Sequence, residues 1–209
     1  MPPARALVVR VWLPDRPGAL GQVASRIGAV HGDVTAIDIL ERGAGRVIDE
    51  LVVTLPESTS EGLLAKEIGA VDGVSVEHIR RVADERPDSA TAILELAAQV
   101  AGQESSSRLA ALTDGLVAAV DADWAVAVRH GDVVHARGEP PDDGWLIAFL
   151  DGCEHLDTAY PNAGPGDVMW ARLPRSGAAV AAGRAHRPVH ERERSRVALL
   201  ATVADALIG

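Results

Sequence analysis

The chain has 209 residues, of which 47% are hydrophobic and 24% charged, and its formal net charge at pH 7 is −10. This length suffices for two small domains or one medium one with a buried core. The acidic balance, without a basic stripe, argues against a nucleic-acid-binding surface. No apolar run reaches transmembrane length, no signal-peptide pattern is present, and a single cysteine, Cys153, excludes an intrachain disulfide. We therefore expect a soluble cytoplasmic protein that binds neither nucleic acid nor a membrane.

The first eighty residues alternate between strand and helix patterns in one order. Apolar residues at every second position predict strands at 7–13, 33–42, 46–55 and 74–82. Helical spacing predicts one helix that ends at His31 with Gly32 as its C-terminal cap, and another opened by residues 59–61 and ended by Asp72 and Gly73. The order strand, helix, strand, strand, helix, strand is that of a ferredoxin-like βαββαβ domain.

The turn at 14–18 joins the first strand directly to the first helix. Pro17 suits the first helical position, where a missing N–H group removes no hydrogen bond. Gly18 has no Cβ, so its backbone can approach a ligand. The first N–H groups of the helix are then free to hold a carboxylate, although an ordinary strand-to-helix connection has the same pattern.

The segment 6–82 resembles an ACT domain, a small regulatory module that commonly binds amino acids. The resemblance rests on the stretches DRPGALGQVASRIGAVHGDVTAIDI and GRVIDELVVTLP. In that family the ligand lies where the loop after the first strand faces the second strand, often of a partner subunit. The resemblance therefore implies a ligand site made of Asp15, Arg16, Pro17, Gly18, Ala19, Leu20, Val34 and Thr35.

The chemistry of these residues favours a zwitterion over a simple anion. The N–H groups of residues 18–20 suit an α-carboxylate, and Asp15 can accept hydrogen bonds from an α-ammonium group. Some amino-acid-binding members of the family carry a polar amide near the start of the second strand, where Val34 stands here. Val34 would favour an apolar ligand side chain, so we expect a small or branched aliphatic amino acid.

Residues 83–90 are polar and contain a proline, which predicts a linker. Beyond it, patterns predict two helices, the second capped by residues 105–107, then a hairpin at 124–137, a helix around 145–150, a loop at 156–166, a hairpin at 168–182 and a final helix from Glu191. This order, and above all the end DVMWARLPRSGAAVAAGRAHRPVHERERSRVALLATVADAL, resembles a shortened GAF-type domain over about residues 90–207. Such a resemblance implies a domain that can serve simply to dimerise.

The remaining candidates for chemistry are scattered. One cysteine and several histidines could in principle gather around a metal, but only one Cys-x-His pair is close in sequence; the set is Cys153, His155, His130, His135, His186 and His190. Asp49 and Glu50 are neighbours on a strand and point to opposite faces, so they cannot act as paired carboxylates. We expect no metal, no cofactor and no catalytic site.

The sequence therefore predicts an α+β protein with an ACT-like domain (1–82), a linker (83–90) and a GAF-like domain (91–209). Its predicted function is a non-enzymatic sensor that binds an amino acid and regulates an unknown partner. We expect a homodimer in which the first helix or first strands of two copies meet. Two alternatives stay open: a dimerisation or adaptor protein without ligand, and an enzyme that uses a cleft in the second domain.

Overall fold

The computed structural model describes residues 3–83, 87–153 and 166–209. The chain divides into two compact units, Met1–Arg86 and Pro87–Gly209. In the described parts of the chain, every helix is too short or too polar to cross a membrane. Each unit has its own four-stranded antiparallel sheet, so the predicted α+β fold class is confirmed.

The N-terminal unit has the predicted ferredoxin-like βαββαβ order. Its elements are β1 (Ala4–Pro14), α1 (Ala19–Ala29), β2 (Asp33–Gly43), β3 (Arg46–Pro56), α2 (Glu61–Gly69) and β4 (Ser75–Val82). The strands lie in the order β2-β3-β1-β4, and each is antiparallel to its neighbours. The first strand is thus central, and both of its edges are already paired within the chain.

Both helices of this unit pack on one face of the sheet. Alternate residues of β1 and β3 meet α1 and α2 in a common core, represented by Val9, Leu51, Val23 and Leu64, each 0% exposed. The regular alternation of apolar residues in the sequence places these side chains on one face. That face, with α1 above it, carries the candidate site.

The end of α1 differs from the prediction. The left-handed residue is His31, with φ 62°, and not Gly32. The N–H groups of Gly32 and His31 donate to the carbonyl oxygens of Ile27 and Gly28, which is the Schellman arrangement. Gly32 serves a different need, because a Cβ there would lie 2.8 Å from Cγ2 of Ile27.

The C-terminal unit has its sheet between two helical layers. Its elements are α3 (Ser89–Ala101), a 3₁₀ turn (Ser105–Ser107), α4 (Arg108–Ala119), β5 (Trp124–Arg129), β6 (Asp132–Gly138), α5 (Asp143–Cys153), β7 (Val168–Leu173), β8 (Ala178–Gly183) and α6 (Glu191–Ile208). The strand order is β6-β5-β8-β7. One sheet face packs against α3, α4 and α6, and the other against α5. Both predicted hairpins and the closing helix are confirmed.

Three expectations for this unit need correction or lie outside the described residues. Helix α3 begins at Ser89, inside the predicted linker, because the carboxylate of Asp88 caps it by accepting the N–H groups of Ala90 and Thr91. The hydrogen bond from the Thr91 side chain is the main reason that the pKa of Asp88 is lowered.

The serines 105–107 form a 3₁₀ turn without a side-chain cap, so they do not cap α4 as predicted. Residues 84–86 of the linker and nearly all of the predicted loop 156–166 are outside the described residues.

A buried ion pair ties α6 to the end of β8. Arg184 is 1% exposed, and its Nη2 atom lies 2.7 Å from each carboxylate oxygen of Glu193. The same carboxylate accepts the N–H group of His190 at 2.9 Å, and the guanidinium also donates to the carbonyl oxygen of Pro188. Both charges are therefore fully engaged inside the unit.

Candidate functional site

The turn after β1 is built by backbone hydrogen bonds. The N–H group of Asp15 donates to the carbonyl oxygen of Gly45 at 2.9 Å, which holds the turn against the β2–β3 hairpin. Gly18 then takes φ 84° at the N-cap of α1, and its carbonyl oxygen accepts the N–H group of Gln22 at 3.0 Å. The left-handed conformation explains the need for glycine, because other residues adopt it at a steric cost.

Three N–H groups at the start of α1 make no hydrogen bond within the described residues. They belong to Gly18, Leu20 and Gly21, and no side chain caps the helix. Ala19 differs from the prediction, because its N–H group donates to the carbonyl oxygen of Arg16 at 3.3 Å. A Cβ built on Gly18 or Gly21 meets no atom within 4 Å, so the space beside these donors is open. The helix start can therefore accept an anionic group.

A buried carboxylate lies close to the same turn. Asp49 on β3 pairs with Val11 of β1 and Ile39 of β2, and it shares the helix-facing side of the sheet with Leu51. Its neighbour Glu50 points to the opposite face, as predicted, and pairs there with Arg10. Asp49 is 3% exposed, its Oδ1 atom is buried without a hydrogen-bond partner, and neither oxygen accepts a hydrogen bond within the described residues.

The surroundings of Asp49 favour its neutral form. Burial raises the pKa of the Asp49 carboxyl above its ordinary value of 3.8, and the neighbouring carboxylates of Asp38 and Asp15 raise it further. Arg42 acts in the opposite direction. Since one arginine does not offset burial, a second positive group beside Asp49 would stabilise the ionised carboxylate.

The other predicted residues of the turn are directed outward. The carboxylate of Asp15 is 3.7 Å from Nε of Arg42, and both side chains are exposed. Arg16 donates to the side chain of Gln22 at 3.1 Å. Asp15 is thus already shared with a cation, which makes it a poorer acceptor for a ligand ammonium group than Asp49.

Val34 and Thr35 lie at the far end of the sheet from the turn of their own chain. Val34 pairs with Val53, which pairs with Leu7, seven residues before Pro14 along β1. At about 3.3 Å per residue, this puts Val34 roughly 23 Å from the turn. Within one chain, these residues do not join Asp15–Leu20 in a common site. The β2 residues near the turn are Ile39 and Arg42 instead.

Sequence reasoning missed Asp49 as a candidate. The alternation of β3 correctly gives the face on which its side chain lies, but neither its burial nor the lack of a partner can be read from the sequence. The sequence does contain a signal for Asp49. On β3 this charged residue occupies a position that faces the helices, and the next two such positions hold the apolar residues Leu51 and Val53.

The predicted metal candidates do not form a recognisable centre. His155 lies outside the described residues, and Cys153 is buried at the end of α5. In the described residues, no three side chains of histidine, cysteine, aspartate or glutamate are placed to hold a metal ion. His135 instead contacts Asp114, with Nε2 3.0 Å from Oδ1.

No protein-family model and no curated protein sequence matches the chain. Among solved structures, it is similar to an unknown protein from Galdieria sulphuraria, with a TM-score of 0.35 and 13% identity over 87% of this chain and 81% of that chain. It is also similar to a formyltetrahydrofolate deformylase from Pseudomonas putida KT2440, with a TM-score of 0.31 and 20% identity over 47% of this chain and 39% of that chain. Because both TM-scores are below 0.5, neither likeness identifies a family or a function.

Proposed function

We propose that the N-terminal unit is an ACT-like module that binds a small aliphatic amino acid, and that the protein is a regulatory sensor without catalytic activity. One observation carries the proposal: unpaired N–H donors at the start of α1 lie near a buried, unpartnered carboxylate, Asp49. The two features have opposite needs, one for an anion and the other for a cation. An α-amino acid supplies both groups on adjacent atoms.

The ligand's α-carboxylate is assigned to the N–H groups of Gly18 and Leu20, where the helix dipole favours negative charge. Its α-ammonium group is assigned to Asp49, which would gain charge-assisted hydrogen bonds that the protein does not supply. This differs from the sequence prediction, in which Asp15 held the ammonium group.

An aliphatic ligand side chain fits the β2 side of the turn. Ile37 and Ile39 lie on the helix-facing side of β2 and are 49% and 38% exposed. Burying an apolar ligand group against them would remove hydrocarbon from water on both partners. The apolar preference predicted from Val34 is thus supported by different residues of the same strand.

The test is calorimetric titration of the whole chain with valine and two analogues that each lack one charge. Isobutylamine lacks the carboxylate, and 3-methylbutanoate lacks the ammonium group. We expect valine to bind and each analogue to bind at least about tenfold more weakly, since each loses a set of charge-assisted hydrogen bonds. If a panel including alanine, valine, leucine and isoleucine gives no heat of binding, the ligand-free adaptor is the better description.

We also propose a homodimer joined through β2 or α1. Strand β2 is eleven residues long and lies at a sheet edge, and long edges of this kind are commonly paired or covered. In such a dimer, the Val34 and Thr35 of one copy could approach the turn of the other. We expect light scattering to give twice the mass of one chain.

A substitution on β2 tests this association. Ile37→Lys should give the mass of one chain, because it places a charge on the exposed side of the proposed contact. Leu63→Lys is the matched control, since Leu63 is an exposed apolar residue, 43% accessible, on α2. A wild-type protein with the mass of one chain at micromolar concentration would contradict the proposed dimer.

A further inference from the structure

The amino-acid site buries a carboxyl group among apolar side chains. On the helix-facing side of the sheet, Asp49 lies between Val11 of β1 and Ile39 of β2, and the next such residue of its own strand is Leu51. Asp49 is 3% exposed and accepts no hydrogen bond within the described residues. A carboxyl group in such a place is more stable when it is neutral, because a buried charge needs water or hydrogen-bond donors.

The charged groups of β2 and of the turn reinforce this preference. Burial is the largest influence that raises the pKa of the Asp49 carboxyl, and the carboxylates of Asp38 on β2 and Asp15 in the turn raise it further. The guanidinium of Arg42 acts in the opposite direction, but its side chain is exposed and its Nε atom lies 3.7 Å from Asp15. Solvent and Asp15 therefore weaken its effect on the buried carboxyl. The other charged residue of the turn, Arg16, donates to a glutamine side chain of α1.

The remaining elements packed on this side offer the carboxyl no partner. Strand β1 presents apolar side chains there, including Val11. The charged residue of α1 is Arg26, which donates to Glu67 of α2 at 3.2 Å. On β3 itself, Arg46 lies over the ring of Trp12 on the opposite face. In the described part of the unit, β1 and α1 therefore place no further titratable group beside this carboxyl.

A bound amino acid would reverse the balance. In the arrangement proposed above, its ammonium group lies at the Asp49 carboxyl and supplies the positive charge and the N–H donors that the protein does not. A cation in contact stabilises the ionised form of a carboxyl group. The charged pair can form only when the proton has left the carboxyl, and that proton passes to the buffer.

We propose that a proton on Asp49 competes with the amino acid, so that binding expels the proton and the affinity of the site rises with pH until it levels off. The inference rests on the proposed amino-acid function and makes pH a second input to the same site. Where the empty site is protonated, each ligand bound releases one proton, and the affinity changes by about tenfold per pH unit. Where the empty site is already ionised, binding releases no proton and the affinity is constant.

The test is calorimetric titration of the whole chain with valine between about pH 8 and about pH 4.5, a range in which valine stays zwitterionic. At each pH, two buffers with different heats of ionisation give the number of protons released on binding. We expect the affinity to fall towards acid, by about tenfold over the last pH unit, while the proton release rises from near zero towards one. Tryptophan fluorescence shows whether the chain stays folded across the range.

Four variants assign the proton. Asp15→Asn removes a carboxylate that raises the pKa of Asp49, so the fall in affinity should move to lower pH. Arg42→Gln removes the opposing cation and should move it to higher pH. Asp132→Asn removes the same charge as Asp15→Asn from an exposed position on β6 and should leave the curve unchanged. The chain has seven histidines that titrate in the same range, and Asp49→Asn keeps them all. Its weaker binding, measured at higher valine concentration, should not depend on pH.

The outcomes separate this inference from the function on which it rests. No heat of valine binding at any pH would remove the proposed function and the proton competition together. Valine binding with constant affinity, or without release of a proton at acidic pH, would leave the proposed function in place and overturn the competition. A pH dependence that survives in Asp49→Asn would also overturn it, because the proton would then belong to another group.

Discussion

Glu193 and Asp49, a buried carboxylate from each unit, differ in how their oxygens are hydrogen-bonded. In the C-terminal unit, Glu193 is 8% exposed, and both its oxygens contact Arg184 while one also accepts the N–H group of His190. In the N-terminal unit, Asp49 is 3% exposed and accepts no hydrogen bond within the described residues. The charge of the first is therefore paired within the protein, whereas the second has no hydrogen-bond partner among the described residues.

This difference matters because burying a charge is costly unless it is paired and hydrogen-bonded. The ion pair with Arg184 offsets part of the cost of burying Glu193, so Glu193 stabilises the fold only while Arg184 is present. Asp49 recovers little, so its presence weakens the folded state at neutral pH. A residue that costs stability without a structural partner is a better candidate for binding than one that is saturated.

The largest expected effect comes from breaking the saturated pair. Glu193→Leu leaves Arg184, 1% exposed, as an uncompensated buried charge. We expect a loss of about 3–5 kcal/mol in the free energy of unfolding, measured by urea denaturation. The double variant Arg184→Met with Glu193→Leu should recover most of this loss; if it does not, the pair is not the reason for the effect.

Asp49→Asn should give the opposite result for stability and a loss of binding. Removing an unpaired buried charge should leave the free energy of unfolding at pH 7 unchanged or raise it by up to about 1 kcal/mol. The valine affinity should fall by at least about tenfold, because the ammonium group loses its ionised partner. Urea denaturation and calorimetry on the same preparation check both, and a destabilisation like that of Glu193→Leu would show that Asp49 is structural.

The turn that accompanies Asp49 can be tested with two glycines three residues apart. Gly18→Ala should lower the free energy of unfolding by about 1–2 kcal/mol, because φ 84° is unfavourable for alanine. Gly21→Ala is the matched control in α1, where an added Cβ meets nothing and alanine should stabilise the helix by about 0.5–1 kcal/mol. Equal effects in urea denaturation would mean that the left-handed turn is not required.

The smallest effect is a pH dependence that belongs to Asp49. Its pKa is higher in the folded chain than in the unfolded chain, so between these two values the folded state binds more protons. Its contribution to the free energy of unfolding therefore falls as pH rises through that window. The stability difference between Asp49→Asn and wild type should grow as pH rises above 3.8 and become smallest as pH falls towards 3.8. Urea midpoints of both proteins across this range measure the difference, and a constant gap would contradict it.

Much of the fold follows from local patterns. Alternating apolar residues in 46–55 and helical spacing in α1 are enough to place the strands and helices within a few residues. Strands and helices repeat their buried positions with different periods, so the spacing of apolar residues tells them apart. The helix ends are set less by local patterns. The sequence predicts Gly32 as the C-terminal cap of α1, whereas His31 adopts the left-handed conformation and Gly32 leaves room for the side chain of Ile27. Either residue can end a helix, and tertiary packing decides between them.

The candidate site was only partly predictable. The turn at 15–20 is one continuous segment, so its residues stay together in any fold. Asp49 depends on strand order, because only the pairing of β3 with both β1 and β2 buries it near that turn. Val34 also depends on strand order: β2 runs in the same direction as β1, so within one chain its first residues lie at the end of the sheet opposite the turn.

The central place of β1 has a consequence during synthesis. Six successive residues of this strand, Ala6–Val11, are buried, and all but Arg10 are apolar. One edge of β1 pairs with β3, but the other must wait for β4, which ends at Val82. A nascent chain shorter than this therefore exposes an apolar strand with an open edge, the kind of segment that aggregates or recruits chaperones. Within this unit, the first strand to be made is among the last to have both edges paired.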